Sequence, residues 1–263
     1  MLSNVLSEHL PKASAAHVHR VSLELHADDG MYQGNDYHYL SCGASAFAVI
    51  DAAVAIANIA PSHILDFGAG AGRVTRWLRA GYPQAELSVT DIRPDDLAFC
   101  AREFGANTFP SATSTESLHA PDRYDLIWVG SVITHLSAAQ SEKLVRKLAS
   151  WLRQDGVLVV SFHGRFAAAR APSFQNYGIA AGWDTLLQDY RSLGFGYADY
   201  PSQSGYGISI CSTSWTAALV ERIDNARLVL LSERAWDAHH DVFALQNRPV
   251  LDGLPTFSNT DSF

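Results

Sequence analysis

Residues 63–78 read HILDFGAGAGRVTRWL. The first five have the length and apolar content of a buried strand, with an acid, Asp66, near its end. Glycines follow at 68, 70 and 72, and then a run with helical spacing. Strand, glycine turn and helix in that order can cradle a nucleotide-like ligand. Glycine lets the backbone approach with no Cβ in the way, and open parallel sheets bind ligands at the carboxyl ends of their strands.

The flanking residues repeat the alternation. Strands are predicted at 63–67, 86–91 (ELSVTD), 124–130 (YDLIWVG) and 156–162 (GVLVVSF), with a short, weakly marked one near 106–109. Helices are predicted near 72–80, 94–104 and 137–153, the last opened by Ser137 and Gln140 at capping-box spacing. An Ala-rich helix precedes them at 43–60, ended by Pro61. A helix at 214–223 leads to strands at 226–232 and 241–246, whose short connection makes them an antiparallel pair. The pattern predicts an α/β fold: a Rossmann-like doubly wound sheet, mostly parallel, with an antiparallel C-terminal strand. Residues 1–42 read as an N-terminal arm and 43–263 as the domain. Within the domain, 164–205 is long, rich in Gly, Tyr, Phe and Ser, and helical only near 183–193, which predicts a cap insert.

The composition limits the partners. The chain has 263 residues, 48% hydrophobic and 17% charged, enough for one large domain. Its formal net charge is −8 and its only lysines are Lys12, Lys143 and Lys147, so no nucleic-acid partner is expected. Cys42, Cys100 and Cys211 suggest neither a disulfide framework nor a zinc cluster, so a reducing, cytoplasmic setting and no metal are expected. Glu8, His9 and Pro11 interrupt the place a signal peptide needs for its apolar stretch. No run approaches roughly 18 apolar residues, so no membrane span is expected.

The ligand is narrowed by what stands beside the glycines. The dinucleotide fingerprint G-x-G-x-x-G uses its third glycine for tight helix–strand packing, and Arg73 occupies that position. Short-chain dehydrogenases need a Tyr four residues before a Lys; the residues so placed are Glu8, Ala139 and Lys143. Both facts count against an NAD-dependent oxidoreductase, which stays as an alternative.

Over roughly residues 36–247 the sequence resembles the class I S-adenosylmethionine (SAM)-dependent methyltransferases. The resemblance is carried by LDFGAGAGR (65–73), VTDI (89–92), YDLIWVGSVITHL (124–136) and LRQDGVLVVSFHG (152–164), in that order. It implies SAM as cofactor, with Gly68, Ala69 and Gly70 against its methionyl part and Asp66 beside its sulfonium and amino groups. It further implies that Asp91 accepts the ribose hydroxyls, with Ile92 next to it, and that Gly130 and Ser131 border the ligand after the fourth strand. Arg73 either reaches the SAM carboxylate or pairs with an acid. Tyr39 belongs to an arm that folds over SAM in the family. No acid directly follows the third strand, so the adenine partner stays unassigned.

The acceptor is approached by elimination. Gly130-Ser131-Val132-Ile133 replaces the Asp/Asn-Pro-Pro-aromatic motif of enzymes that methylate amino groups of DNA bases. Residues 131–141 lack the glutamates of the protein arginine methyltransferases. GYGISICSTSW (205–215) and HHDVFALQ (239–246) resemble a bacterial subgroup acting on glycans and secondary metabolites. The expected acceptor is therefore a small molecule, such as a sugar or glycan hydroxyl or a secondary metabolite. A neutral hydroxyl needs a base, and His163 and His135, after the fifth and fourth strands, are the candidates. His135 also reads as a structural helix opener, His239 and His240 as structural, and Tyr206 as pocket wall or packing. A SAM-binding protein without catalysis is the remaining alternative.

Overall fold

The computed structural model describes residues 10–248. Its elements are α1 (Lys12–Ala15), α2 (Asp36–Ala57), β1 (His63–Phe67), α3 (Thr75–Gly81), β2 (Glu86–Asp91), α4 (Pro94–Phe104), β3 (Asn107–Pro110), β4 (Tyr124–Val129), α5 (Ala138–Ala149), β5 (Leu152–Phe162), α6 (Arg165–Arg170), α7 (Trp183–Leu193), β6 (Phe195–Tyr200), β7 (Gln203–Cys211), α8 (Thr213–Glu221), β8 (Ala226–Trp236) and β9 (His240–Asn247).

Seven strands form one sheet in the order β3-β2-β1-β4-β5-β9-β8. The pairs from β3 to β5 are parallel; β9 is antiparallel to both β5 and β8. Reversal of strand order beside β1 places a crevice at the carboxyl ends of β1 and β4. Side chains alternate across the sheet. Ile64, Trp128, Val159 and Ala244 join a core with α2, α3 and α4. Leu65, Ile127, Val160 and Phe243 join a second core with α5 and α8.

Local chemistry sets most boundaries. The Ser137–Gln140 capping box opens α5. Pro94 starts α4, and Gly105, at φ +59°, ends it. α2 starts before position 43 because the Asn35 side chain accepts from the His38 N–H, and it stops at left-handed Asn58 rather than at Pro61. Part of the expected arm is therefore helical. Among the described residues α2 alone is long and apolar enough to cross a membrane. The sequence reading missed this because the length is made up with Ala, Gly and Ser. Its Tyr39, Phe47, Ile50 and Val54 are buried in the first core.

The insert is more regular than expected. α6 and α7 pack with a hairpin, β6–β7, around Ala167, Ile179, Trp183, Leu186, Ile208 and Ile210. The hairpin carries the insert past 205 to Cys211. It is seated on the sheet edge by three bonds: Cys211 N–H to the His163 carbonyl at 2.8 Å, Ser209 Oγ to the Ile133 carbonyl at 2.8 Å, and His135 Nδ1 to the Gly207 carbonyl at 2.9 Å. The insert thus covers the carboxyl ends of β4 and β5. The chain before α2 packs on the other side of the crevice: Arg76 Nη1 donates to the Ser22 carbonyl and Arg93 Nη2 to that of Asp28.

Candidate active site

The three turn glycines do different work. All have positive φ, +72° at Gly68, +54° at Gly70 and +81° at Gly72. A Cβ on Gly72 would lie 2.3 Å from Phe104, so that glycine serves helix packing. A Cβ on Gly70 would meet nothing within 4 Å. The backbone there faces open space, as a cradle requires. Gly68 and the half-buried Ala69 donate to the Thr90 carbonyl at 2.8 and 3.3 Å, which fixes the turn on β2.

Two acids flank the turn. Asp91 Oδ2 accepts the Gly70 N–H at 2.8 Å and Oδ1 accepts the Arg93 N–H at 3.1 Å. Asp91 therefore shapes the turn as well as facing the crevice. Asp66 is 1% exposed and accepts from the Thr75 hydroxyl at 2.7 Å. Burial pushes its carboxyl up to about 7, against the pull of Thr75 and Arg73 and with a push from Asp91. Asp66 has no ion pair among the described residues. Ile92, beside Asp91, is 63% exposed, an apolar side chain left uncovered next to the turn. Arg73 is half-buried, its guanidinium 5.6 Å from the centre of the Trp236 ring rather than paired with an acid.

Beyond β4, Gly130 is required by the Trp128 indole, 2.8 Å from where a Cβ would stand. Ser131 takes φ +58°, a conformation that costs a residue with a Cβ about 1–2 kcal/mol. Its N–H donates to Ser161 Oγ at 2.7 Å, which ties the end of β4 to β5.

The histidines converge at the same edge. His163 is buried and stacks between Tyr177 at 5.1 Å and His240 at 4.8 Å, with the edge of His239 at 5.5 Å. Burial, then the neighbouring His239 and His135 rings, push its imidazole down to about 3, so it is neutral; its Nδ1 has no partner. His240 continues the stack onto Trp236 at 4.6 Å. His135 is also lowered by burial, bonds Gly207 through Nδ1, and stacks on Tyr206 at 4.9 Å. That makes His135 a brace between the turn after β4 and the cap.

Residues 65–158 match the family described as "Methyltransferase domain". That stretch, from β1 to β5, is by this match a methyltransferase domain. Over 104 residues it is 30% identical to human N-terminal Xaa-Pro-Lys N-methyltransferase 1, 38% of this chain and 46% of that protein. Over 105 residues it is 30% identical to the malonyl-[acyl-carrier protein] O-methyltransferase of Anoxybacillus flavithermus, 40% of each. The chain thus spans less than half the length of these relatives. Three solved structures share the fold. DesVI of Streptomyces venezuelae has TM-score 0.54 and 12% identity, over 80% of this chain and 93% of that one. A SAM-dependent methyltransferase of Clostridium acetobutylicum has TM-score 0.52 and 12% identity, over 84% and 96%. Magnesium protoporphyrin IX methyltransferase of Synechocystis has TM-score 0.51 and 15% identity, over 82% and 90%.

Tyr39, expected to border the cofactor, is buried at the start of α2. It is 2% exposed, its hydroxyl donates to Asp29 at 2.6 Å, and the Arg76 guanidinium lies 5.0 Å from its ring centre. The first turn of α2 turns it inward, where it braces the arm. Trp236, Tyr177 and Thr75 were missed by sequence reasoning. The available signals were an aromatic residue just before the His-His pair and a hydroxyl nine residues after Asp66. At the opposite sheet edge, His63, Glu86 and Asp122 have ligand atoms within 4.8 Å of one another. That group is away from the crevice, and Arg153 pairs with Asp122 at 3.5 Å.

Proposed function

We propose that this chain binds SAM on the Gly68–Gly70 turn and transfers its methyl group to a hydroxyl of a small molecule held beneath the cap. The observation that carries the reading is Gly70: positive φ, open space beside it, and carboxylates on both sides. The residues fit the cofactor. The buried Asp66 carboxylate makes no ion pair among the described residues and suits an ammonium or sulfonium. Asp91 keeps lone pairs for ribose hydroxyls while it holds the turn, and exposed Ile92 offers an apolar face to a flat base. SAM supplies an electrophilic methyl on a sulfonium.

The chain's own residues then position and deprotonate. The cap excludes water and aligns the acceptor, and alignment alone lowers the barrier substantially. His163 is the base candidate of this reading: it is neutral with Nδ1 unpartnered, but that atom is buried within the ring stack, so taking the hydroxyl proton requires the insert to open it to the acceptor. A sugar or other hydroxylated metabolite in the cytoplasm is the acceptor class this reading favours.

Calorimetry of the full chain with SAM, S-adenosylhomocysteine and NAD tests the cofactor. Micromolar-scale binding of the first two and none of NAD is expected; NAD binding without a SAM signal overturns the reading. S-adenosylhomocysteine release with a panel of glycosides and hydroxylated metabolites tests the transfer. Failure with every acceptor, despite SAM binding, would favour a non-catalytic SAM-binding protein.

A further inference from the structure

β9 places neighbours on opposite faces of the sheet. His240 belongs with the histidine stack, and Asp241 turns to the other side, with Phe243 and Leu245. There a cavity of about 410 Å³ is lined by Asp241, Arg165, Glu233, Tyr190, Cys211 and Ser212, among others. Its lining comes from the insert on one side and from β8 and β9 on the other, and includes neither the glycine turn nor the histidines.

Asp241 is 1% exposed. Its Oδ1 accepts the Arg234 N–H at 2.8 Å, and its Oδ2 has no partner. The cation nearest at hand in the wall, Arg165, is taken by Glu233 at 2.6 Å. Gly164 makes the arrangement possible, because a Cβ there would lie 1.7 Å from Oδ2. The wall therefore holds two carboxylates and one guanidinium, and the carboxylate left over is the buried one. A buried carboxylate oxygen without a donor is costly, and a proton or a cation relieves it.

We propose that this cavity is a binding site for a protonated primary amine, with Asp241 as its counter-charge. An ammonium has three N–H donors. The Asp241 carboxylate is the acceptor with an oxygen left unpartnered, and the Tyr190 side chain lines the same cavity, while Ser212 Oγ is held as the cap of α8 by the Trp215 N–H. A metal ion fits less well: among the described residues, the one group of ligand atoms close enough to share an ion is at the opposite sheet edge. Burial holds the Asp241 carboxyl above its usual range, and slightly alkaline pH favours its ionised form. The site is independent of methyl transfer, and its test does not require an acceptor or SAM.

The probe is putrescine, compared with its uncharged counterpart butanediol, in calorimetry and thermal unfolding of the full chain at slightly alkaline pH. Putrescine is expected to bind and raise the Tm, and butanediol to do neither. Asp241→Asn, which keeps the acceptor for Arg234, should weaken putrescine about tenfold or more, the loss expected for a charged hydrogen bond. Glu233→Gln changes an exposed residue and leaves folding safe. It frees Arg165 to pair with Asp241 and should weaken putrescine to a similar degree. Absence of putrescine binding, equal binding of butanediol, an equal response to potassium or magnesium ions, or unchanged putrescine affinity in both variants would overturn the proposal.

Discussion

Asp66 and Asp91 end neighbouring strands at one sheet edge, yet they sit in opposite surroundings. Asp91 is half-buried and doubly bonded to backbone N–H groups. Asp91→Ala should weaken SAM by about 1.5–3 kcal/mol, the range for a hydrogen bond to a charged group, and lower the Tm by releasing the Gly70 N–H. Unchanged SAM affinity in the folded variant, read by calorimetry, would refute the ribose role. Asp66 is buried, and its carboxyl titrates near 7 instead of near 4. Between those values the folded chain holds a proton that the unfolded chain has lost, so Asp66 costs stability progressively as pH rises through that window. The Tm advantage of Asp66→Asn over wild type should therefore grow from pH about 4 to about 7. SAM, as a cation, favours the ionised carboxylate, so its affinity should fall by up to about tenfold per pH unit below about 7; a flat profile rules out contact with Asp66. His163, lowered to about 3, is already unprotonated across the neutral range. At saturating SAM, kcat should show no histidine titration near neutrality, and His163→Ala should lower kcat about 100-fold or more with SAM affinity unchanged. A variant that turns over like wild type would leave alignment as the catalytic device.

At the scale of elements, the glycine turn separates binding from folding. Gly72→Ala forces a methyl onto Phe104 and should cost about 1–3 kcal/mol in overpacking, plus about 1–2 kcal/mol for the left-handed backbone. Gly70→Ala carries only the backbone cost of about 1–2 kcal/mol, because the space beside it is open. In urea unfolding Gly72→Ala should be the less stable of the two, while in calorimetry Gly70→Ala should lose more SAM affinity than its stability loss explains. Wild-type SAM affinity in Gly70→Ala would mean that the turn is not the cradle. Gln175, Asn176 and Tyr177 run consecutively at φ near +50°. That strained turn lays Tyr177 on His163, a cost that residues at functional sites often carry.

Across the whole molecule the crevice lies between two covers built from distant parts of the chain. The segment before α2 packs on α3 and α4, and the 164–211 insert is pinned to the ends of β4 and β5 by a few bonds. An insert with its own small core can open without unfolding the sheet. Amide exchange in 165–182 should slow when SAM and a true acceptor are both present, and less with SAM alone, because closure that excludes water belongs to the ternary complex. Equal exchange in all states would show that the insert is a fixed wall.

Much of the fold is legible in the sequence alone. The limits of β1, β2, α4 and α7 follow from strand-type runs, helical periodicity, Pro94 and the glycines at 105 and 194, all of which act within a few residues along the chain. The same holds for the glycine turn and the acids beside it, whose chemistry is local to strand ends. Contacts between segments far apart in sequence were not legible. β5 begins at Leu152, not 156, because Leu152 finds Tyr124 across the sheet. β6 and β7 look irregular until each supplies the other's hydrogen bonds. The contacts of Tyr39 with Arg76 and Asp29 carry no local signal, because they come from the packing of α2. His163, His239, His240 and Tyr177 carry no periodic signal that joins them. Their stacking, the neutral state of His163 and the orphaned oxygen of Asp241 exist only once β5 and β9 lie side by side, because burial and partner geometry are properties of neighbours in space.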